Sequence, residues 1–203
     1  MNLLIIGSGA REHSFAWKIF NSKQDIKIFV TNPNAGISKI SFCVDVDIND
    51  FASIKTTIIK HSIDIVLIGP EIPLINGISD FIQNDVLLQN VCVIGPSQRG
   101  SMLEGSKEFA KNFMAKYNIP TASYKSFSKS TFDQAVMFIN KNTPPYVLKA
   151  DGPAAGKGVI IVNDPYEAVK TLEAMLLNSK FGKSSEKVVI EEFLNGIEMS
   201  CFV

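Results

Sequence analysis

The chain has 203 residues, 46% of them hydrophobic, which is enough for one large domain or one and a half smaller ones with a real core. Its 20 basic and 20 acidic side chains leave no formal net charge, so composition gives no reason to expect a nucleic acid or an anionic membrane as partner. No apolar run approaches the length of a membrane span or a signal peptide, and we therefore expect a soluble, cytoplasmic protein.

The three cysteines, Cys43, Cys92 and Cys201, are odd in number and far apart, and each lies in an apolar, strand-like run. This pattern argues against a disulfide framework and against a metal site. We expect reduced, buried thiols.

Strand-like and helix-like segments alternate through the first hundred residues. Apolar runs predict strands at 3–6, 26–30, 64–68 and 91–94, and amphipathic patterns predict helices at 11–20, 49–60 and 72–83. Buried strands joined by helices at this spacing predict an α/β fold that begins with a doubly wound parallel sheet. Ligands of such sheets bind at the carboxyl ends of the strands.

Each of these predicted strands is followed by loop residues, at 7–9, 32–36, 69–71 and 95–97. Gly, Pro and Asn are also ordinary turn residues, and we interpret Gly95-Pro96 as an ordinary turn. Four such loops at one edge of a sheet nevertheless predict a pocket.

The first loop, Gly7-Ser-Gly-Ala-Arg-Glu12, is similar to a dinucleotide-binding fingerprint but lacks its third glycine, where Glu12 stands. The acidic residue expected about 20 positions onward is missing as well. We therefore expect no NAD site, but a tight turn at a helix N-terminus that suits a phosphate or a carboxylate, with Arg11 nearby. His13 is a candidate base or a local hydrogen-bonding residue, and His61 is expected at a helix end.

The second half predicts a small α+β lobe with a glycine-rich flap. Helices are expected at 107–116, 131–141 and 166–177, and a strand carrying Lys149 leads into a loop that ends Gly156-Lys157-Gly158. A loop of this kind lays backbone N–H groups over phosphates. It does not match a Walker loop, which needs four residues between its first glycine and Gly-Lys, a Ser or Thr after the lysine, and a helix next. Here three residues separate Gly152 from Gly156, a glycine follows Lys157, and a strand-like run comes next. An ordinary hairpin turn is the alternative.

Taken together, the motifs closely resemble those of the phosphoribosylamine-glycine ligase family, ATP-grasp enzymes of purine synthesis. The resemblance covers the whole chain, which is similar to the N-terminal portion of such an enzyme. It rests on the order and spacing of residues 1–17, Asn34-Ala-Gly36, Val66-Leu-Ile-Gly-Pro-Glu71, Leu103-Glu-Gly-Ser-Lys107, Ile119-Pro-Thr121, Leu148-Lys-Ala-Asp-Gly152 with Ala155-Gly-Lys-Gly-Val159, and Ile190-Glu-Glu-Phe-Leu194.

The resemblance implies that ATP phosphorylates glycine and that 5-phosphoribosylamine attacks the glycyl phosphate, which gives glycinamide ribonucleotide, ADP and phosphate. It implies phosphate contacts from Lys107 and Lys149, a flap over the nucleotide, base reading by the backbone of Glu192 and Leu194, and ribose binding by Glu198. The implied ATP-binding residues are Lys107, Lys149, Asp151, Gly152, Ala155, Gly156, Lys157, Gly158, Glu191, Glu192, Leu194 and Glu198. The implied substrate-binding residues are Gly7, Ser8, Gly9, Arg11, Asn34, Ala35, Gly36, Gly69, Pro70 and Glu71.

The resemblance also implies a domain division: a pre-ATP-grasp domain at 1–102, a helical link at 103–121, the small lobe at 122–187, and the first strands of an incomplete main lobe at 188–203. Mg²⁺ (or Mn²⁺) is implied with its ligands downstream of residue 203, so no metal ligand is expected within the chain, and these residues alone are expected to be inactive. Implied partners are small molecules only, with a monomer or weak dimer.

Two positions depart from the family pattern: Ala10 replaces a common glycine, and Pro153 replaces a common leucine in the flap. Two other readings stay open. One is another ATP-grasp ligase or carboxylase, and the other is a binding module that holds a phosphosugar or nucleotide without catalysis.

Overall fold

A computed structural model describes residues 1–22 and 24–201, and it has a mixed α/β architecture with one parallel and one antiparallel sheet. The chain divides into two compact units, Met1–Met102 and Leu103–Val203. None of the helices in the described ranges has the length and apolar character needed to cross a membrane.

The first unit is built on five parallel strands in the order β3-β2-β1-β4-β5. The strands are β1 (Asn2–Ile6), β2 (Lys27–Thr31), β3 (Phe42–Val44), β4 (Ile65–Ile68) and β5 (Cys92–Ile94). The helices are α1 (Ala10–Phe20), α2 (Phe51–Lys60), α3 (Glu71–Ile75), α4 (Ile78–Asn84) and α5 (Gln98–Gly105), the last of which crosses into the second unit.

Strand β1 lies at the centre of this sheet and is buried on both faces. Leu4 and Ile6 pack into one apolar cluster, while Leu3 and Ile5 pack into another on the opposite face. Successive side chains of a strand point to opposite faces, so a strand covered on both sides must be apolar throughout. The predicted doubly wound parallel sheet is confirmed.

Three details of the first unit differ from the sequence prediction. Strand β3 was not predicted, because three residues at the edge of a sheet give too short a pattern. The single helix predicted at 72–83 is two helices, interrupted at Gly77, whose φ of +93° is incompatible with a continuous helix. His61 ends α2 as predicted, and its ring packs against Phe29.

The cysteines are free, as predicted, but the prediction that they are buried is wrong. Cys43 lies on β3 and Cys92 on β5, which are the two edge strands of the parallel sheet. Cys201 lies in an exposed segment without regular structure. An apolar run indicates a strand, but it does not tell an edge strand from a central one.

The second unit contains a four-stranded antiparallel sheet in the order β6-β9-β7-β8. Its strands are β6 (Tyr124–Ser128), β7 (Tyr146–Ala150), β8 (Val159–Val162) and β9 (Lys187–Glu192), and its helices are α6 (Lys107–Lys116), α7 (Phe132–Lys141) and α8 (Pro165–Leu176). Helices α7 and α8 bury one face of the sheet through a cluster that includes Ile139, Leu148, Leu172 and Ile190.

Strand β9 is a central strand of this sheet, hydrogen-bonded between β6 and β7. Residues 188–192 therefore complete the sheet that contains the flap instead of opening a further lobe, and Glu191 does not lie on an edge strand. A strand so late in the chain can join this sheet because antiparallel pairing depends on register and not on sequence order. The rest of the domain division stays a prediction.

Candidate functional site

The loops after β1 and β4 lie side by side, because the strand order reverses between these two strands. Such a reversal is where doubly wound sheets form their binding crevice. A cleft of about 650 Å³ opens at this point. Its lining comes from four segments of the first unit: Gly7, Ser8, Gly9, Glu12, Thr31, Asn32, Asp45, Asp47, Ile48 and Pro70.

Glu12 lies in the middle of these loops although it was not predicted as a site residue. Its side chain is buried, and Oε2 accepts a 2.6 Å hydrogen bond from the Gly9 amide, while Oε1 has no partner within the described residues. A Cβ at Gly69 would lie only 1.9 Å from Oε1. The Glu12 side chain therefore fills the space that any side chain at 69 would need, which explains the glycine in the loop after β4.

His13 has a similar relation to the loop after β2. A Cβ at Gly36 would lie 2.3 Å from Cε1 of the imidazole ring. Two successive residues in the first turn of α1 thus fit against glycines of two different loops. Close packing of this kind fixes the distances between the three loops.

Most glycine amides of these loops already have acceptors in the protein. The Gly7 amide donates to Thr31 Oγ1 at 2.8 Å, and the Gly36 amide donates to Asn34 Oδ1 at 2.9 Å. With Gly9 bonded to Glu12, the N–H groups left for an anion are those at the start of α1, where the first helical amides have no intrahelical acceptor. These amides belong to Ala10, Arg11 and Glu12.

The remaining predicted substrate residues surround the cleft without lining it. Asn34 connects two loops, since its amide nitrogen donates to the Ser8 carbonyl at 2.8 Å. Arg11 and Glu71 form an exposed ion pair of 3.3 Å. Ala35 is exposed, beside the Asn34 turn.

Sequence reasoning missed Asp45 and Asp47, which give the cleft an acidic wall. Both follow β3, the strand that was too short to predict. Thr31 was also missed, although its buried hydroxyl holds the Gly7 amide. The Thr31-Asn32 pair at the end of β2 is a sequence signal for these two lining residues. The sequence prediction considers this position only for an acidic ribose ligand, which it lacks.

The predicted flap in the second unit is a hairpin between β7 and β8. Ala155 and Gly156 have φ values of +47° and +76°, and the Lys157 amide donates to the Ala154 carbonyl at 2.9 Å. Two successive positive φ values are the pattern of the turns that close tight hairpins. At the base of the loop, the Ala150 amide donates to the Gly158 carbonyl at 2.8 Å.

Three charged side chains meet on the face of the sheet opposite α7 and α8. The Lys149 ammonium lies 2.8 Å from Glu191 Oε2, and the Lys111 ammonium lies 3.1 Å from the same oxygen. The Lys111 and Glu191 side chains are only 8% and 5% exposed, whereas Lys149 is 26% exposed. Sequence reasoning missed Lys111, because a lysine in an amphipathic helix usually faces solvent.

Asp151 anchors the base of the flap to the start of α6. Its carboxylate accepts from the Ser106 hydroxyl at 3.0 Å and from the Glu108 amide at 2.7 Å. Ser106 itself accepts from the Phe109 amide, so the two residues together satisfy two of the first helical N–H groups. The Asp151 carboxylate therefore holds the base of the flap against α6, and its contact with a nucleotide stays a prediction.

Lys107 lies against the same segment, with its ammonium 3.4 Å from the Asp151 carbonyl and 3.3 Å from the Gly152 carbonyl. Burial lowers the pKa of this ammonium below its usual value, an effect that the Asp151 charge opposes and the Lys149 charge reinforces. An anion that binds beside this partly buried ammonium would stabilise its charged form. Lys107 and Lys149 thus provide two positive charges beside the flap.

The segment after β9 has the predicted hinge residues. The Glu192 amide donates to the Ser123 carbonyl, and the Ser123 amide donates back to Glu192 Oε1 at 2.9 Å, which lowers the pKa of the Glu192 carboxyl. The Leu194 side chain is 64% exposed. Its amide has no acceptor among residues 1–22 and 24–201. Glu198 is exposed and follows in the same irregular segment.

A cavity of about 280 Å³ adjoins this hinge. It is bounded by Ser123, by residues 142–146 and by the end of β9, including Glu191, Glu192 and Phe193. Within the described ranges, no group of three or more His, Cys, Asp or Glu side chains could hold a metal ion.

Comparison with known proteins places this geometry in a class. A solved N5-carboxyaminoimidazole ribonucleotide synthetase in complex with ADP superposes with a TM-score of 0.68 at 16% identity, over 95% of this chain and 47% of that one. At this identity, the likeness concerns the fold alone. The Thermotoga maritima phosphoribosylamine–glycine ligase structure gives 0.74 at 29% identity, over 97% of this chain and 45% of that one. The fold is that of the ATP-grasp proteins.

Sequence comparison is more specific. Residues 1–104 match the N domain of phosphoribosylglycinamide synthetase, and residues 105–203 match its ATP-grasp (A) domain. The phosphoribosylamine–glycine ligase of Halalkalibacterium halodurans is 42% identical over 98% of this chain, and that of Caldanaerobacter subterraneus is 40% identical over 100% of it. The chain belongs to the phosphoribosylglycinamide synthetase family.

The chain spans about half the length of the curated relatives it matches, 45% for the first and 47% for the second.

Proposed function

We propose that the full-length protein joins glycine to 5-phosphoribosylamine at the expense of ATP, giving glycinamide ribonucleotide, ADP and phosphate for purine synthesis. The observation that carries this proposal is the match of both halves of the chain to consecutive domains of one ligase family. The two units also offer the two kinds of site that the reaction requires, a polar cleft with an acidic wall and a flap beside two lysines.

In the nucleotide half, Lys107 and Lys149 neutralise the phosphates of ATP. The flap covers them with backbone N–H groups, and its small residues let the backbone approach closely. Beyond β9, the Glu192 carbonyl and the Leu194 amide read the edge of the adenine, while Glu198 binds the ribose hydroxyls. The Leu194 amide, which has no acceptor within the described residues, and the partly exposed Lys149 ammonium support these roles, because each has at least one N–H group left for a ligand.

In the substrate half, the start of α1 holds the phosphate of 5-phosphoribosylamine. The Ala10 and Arg11 amides point from a helix N-terminus, where the macrodipole favours an anion. Glu71 and the acidic wall of Asp45 and Asp47 suit the ribose hydroxyls and the amine. The loops 7–9, 34–36 and 69–71 provide the shape of this subsite.

The reaction proceeds in two steps. A glycine carboxylate oxygen attacks the γ-phosphorus of ATP, and ADP leaves with the electrons of the broken phosphoanhydride bond. The amine of 5-phosphoribosylamine then attacks the acyl carbon, phosphate leaves, and the amine loses a proton. Both lysines stabilise charge that accumulates on the leaving phosphates, and the closed flap keeps water from the mixed anhydride. The metal that supports such phosphoryl transfers would take its ligands from outside the described residues.

We propose a cytoplasmic location, which the three free cysteines support because exposed thiols persist in reducing compartments. The proposed partners are ATP, glycine and 5-phosphoribosylamine, with the protein acting as a monomer or weak dimer.

The test measures ADP release by the full-length protein with ATP, Mg²⁺, glycine and freshly generated 5-phosphoribosylamine, omitting each in turn. Release that needs both glycine and the amine supports the ligase. Release that does not depend on glycine would mean another ATP-grasp ligase or carboxylase, and absence of release together with tight nucleotide binding would mean a binding module without catalysis.

A further inference from the structure

Lys111 is a buried lysine on α6 that has no part in the function proposed above. Its side chain is 8% exposed, and a lysine is almost never buried to this degree unless its charge is paired. Three oxygens surround the ammonium: Thr121 Oγ1 at 2.8 Å, the Ala122 carbonyl at 3.2 Å and Glu191 Oε2 at 3.1 Å. Two of its N–H donors are thus used by Thr121 and Ala122, and its charge is paired with the Glu191 carboxylate.

Lys149 differs from Lys111 although both contact the same Glu191 oxygen. Its only polar contact within the described part of the chain is the 2.8 Å bond to that oxygen, and its side chain is 26% exposed. Two of its three N–H donors therefore remain for a ligand. Lys111 approaches Glu191 from the buried side, and Lys149 approaches it from the side that solvent reaches.

The charges of this cluster add to +1, since two ammonium groups surround one carboxylate. Without Lys111 the sum would be zero, and a phosphate that approached Lys149 would also meet a carboxylate whose charge only Lys149 offsets. At about 3 Å in a poorly hydrated site such an ion pair is strong, so the phosphate would gain little from Lys149. With Lys111 present, Glu191 is already neutralised.

We propose that Lys111 is a positioning residue for nucleotide phosphates: it neutralises Glu191 from the buried side and so leaves the charge of Lys149 available to the ligand. The proposal rests on the proposed function, because it requires a nucleotide at Lys149. Glu191 also directly precedes the hinge residue Glu192, so the same pair fixes the start of the base-reading segment relative to the phosphate lysine.

The experiment measures the affinity of the full-length protein for ADP and for adenosine by calorimetry. We expect Lys111→Met to weaken ADP binding by about 10-fold and to leave adenosine binding within about twofold, because only ADP has phosphates. Lys111→Arg keeps the charge and should stay within about threefold of the wild type for ADP. Lys116→Met, at an exposed position of the same helix, is the control and should change neither affinity.

The decisive variant is the double substitution Lys111→Met with Glu191→Gln, which returns the cluster to +1. If charge is the cause, ADP affinity recovers to within about threefold of the wild type. The proposal would be overturned if the double variant does not recover ADP affinity. It would also be overturned if Lys111→Met leaves ADP affinity unchanged, or if it weakens ADP and adenosine equally. If Lys111→Met does not fold, Lys111→Gln decides, because it removes the charge and keeps a polar group near Thr121 and Ala122. Its ADP affinity should also fall by about 10-fold, and an unchanged affinity would contradict the charge argument.

Failure of the proposed function would be recognised separately. A wild-type protein that binds neither ADP nor ATP would refute the nucleotide site itself, whereas normal wild-type binding with indifferent variants would refute only the role of Lys111.

Discussion

Replacing Asp151 with alanine should destabilise the second unit more than an ordinary helix-cap substitution does. The carboxylate accepts two kinds of donor, the Ser106 hydroxyl and the Glu108 amide, and it is partly buried. A lost helix cap costs about 1 kcal/mol, and a lost hydrogen bond to a charged group costs about 1.5 kcal/mol. We therefore expect Asp151→Ala to lower the free energy of unfolding by about 2–3 kcal/mol.

The aromatic residues allow the two units to be followed separately in urea unfolding. The only tryptophan, Trp17, lies in the first unit, and all four tyrosines lie in the second. The tyrosine-reported transition should move to lower urea in Asp151→Ala, with an unchanged slope. Asp164→Ala removes a cap that accepts only from the Glu167 amide, and it should cost about 1 kcal/mol. Equal losses in the two variants, or no loss in Asp151→Ala, would refute the anchoring role of Asp151.

Three further outcomes are expected of the full-length protein. Lys149→Ala should reduce transition-state stabilisation, measured from kcat/KM for ATP, by about 1.5–3 kcal/mol, because it removes a charge-assisted phosphate contact. Unchanged turnover and ATP affinity would show that the phosphate site is misassigned. Glu71→Gln should raise KM for 5-phosphoribosylamine and spare that for ATP, while an equal rise in both would indicate misfolding. Burial lowers the pKa of Lys107, and an adjacent phosphate raises it again, so ADP binding should take up protons at pH values where this ammonium is partly deprotonated in the free protein. Calorimetry in two buffers of different ionisation enthalpy measures this uptake, and proton release would contradict the assignment.

The candidate site was predictable where it depends on short segments of continuous sequence. The loop after β1, the flap and the hinge each join a strand pattern to small or charged residues within a few positions. Glu12, Asp45 and Lys111 were not predictable in this way. Glu12 and Lys111 contact residues distant in sequence, Gly69 and Glu191, and a local pattern carries no information about such contacts. Asp45 follows the short edge strand β3, whose pattern was too short to predict.

Asp151 has a structural role that its place in the sequence does not indicate. The sequence places it at the start of the flap, where a nucleotide contact is the natural expectation. Its carboxylate instead accepts from residues 106 and 108, more than forty positions earlier. A carboxylate near a phosphate site repels the ligand, and the Glu108 amide and the Ser106 hydroxyl at the start of α6 offset part of its charge.

The sequence by itself determined the alternation of strands and helices, the parallel sheet and the position of the glycine-rich hairpin. Hydrophobic period, turn residues and helix caps act over a few neighbouring positions, and they leave a readable pattern. Only the tertiary structure decided which strands are edges, that β9 lies in the centre of its sheet, and which lysine is buried. These properties depend on strand order and on contacts between residues far apart in the chain, and burial and charge pairing follow from those contacts.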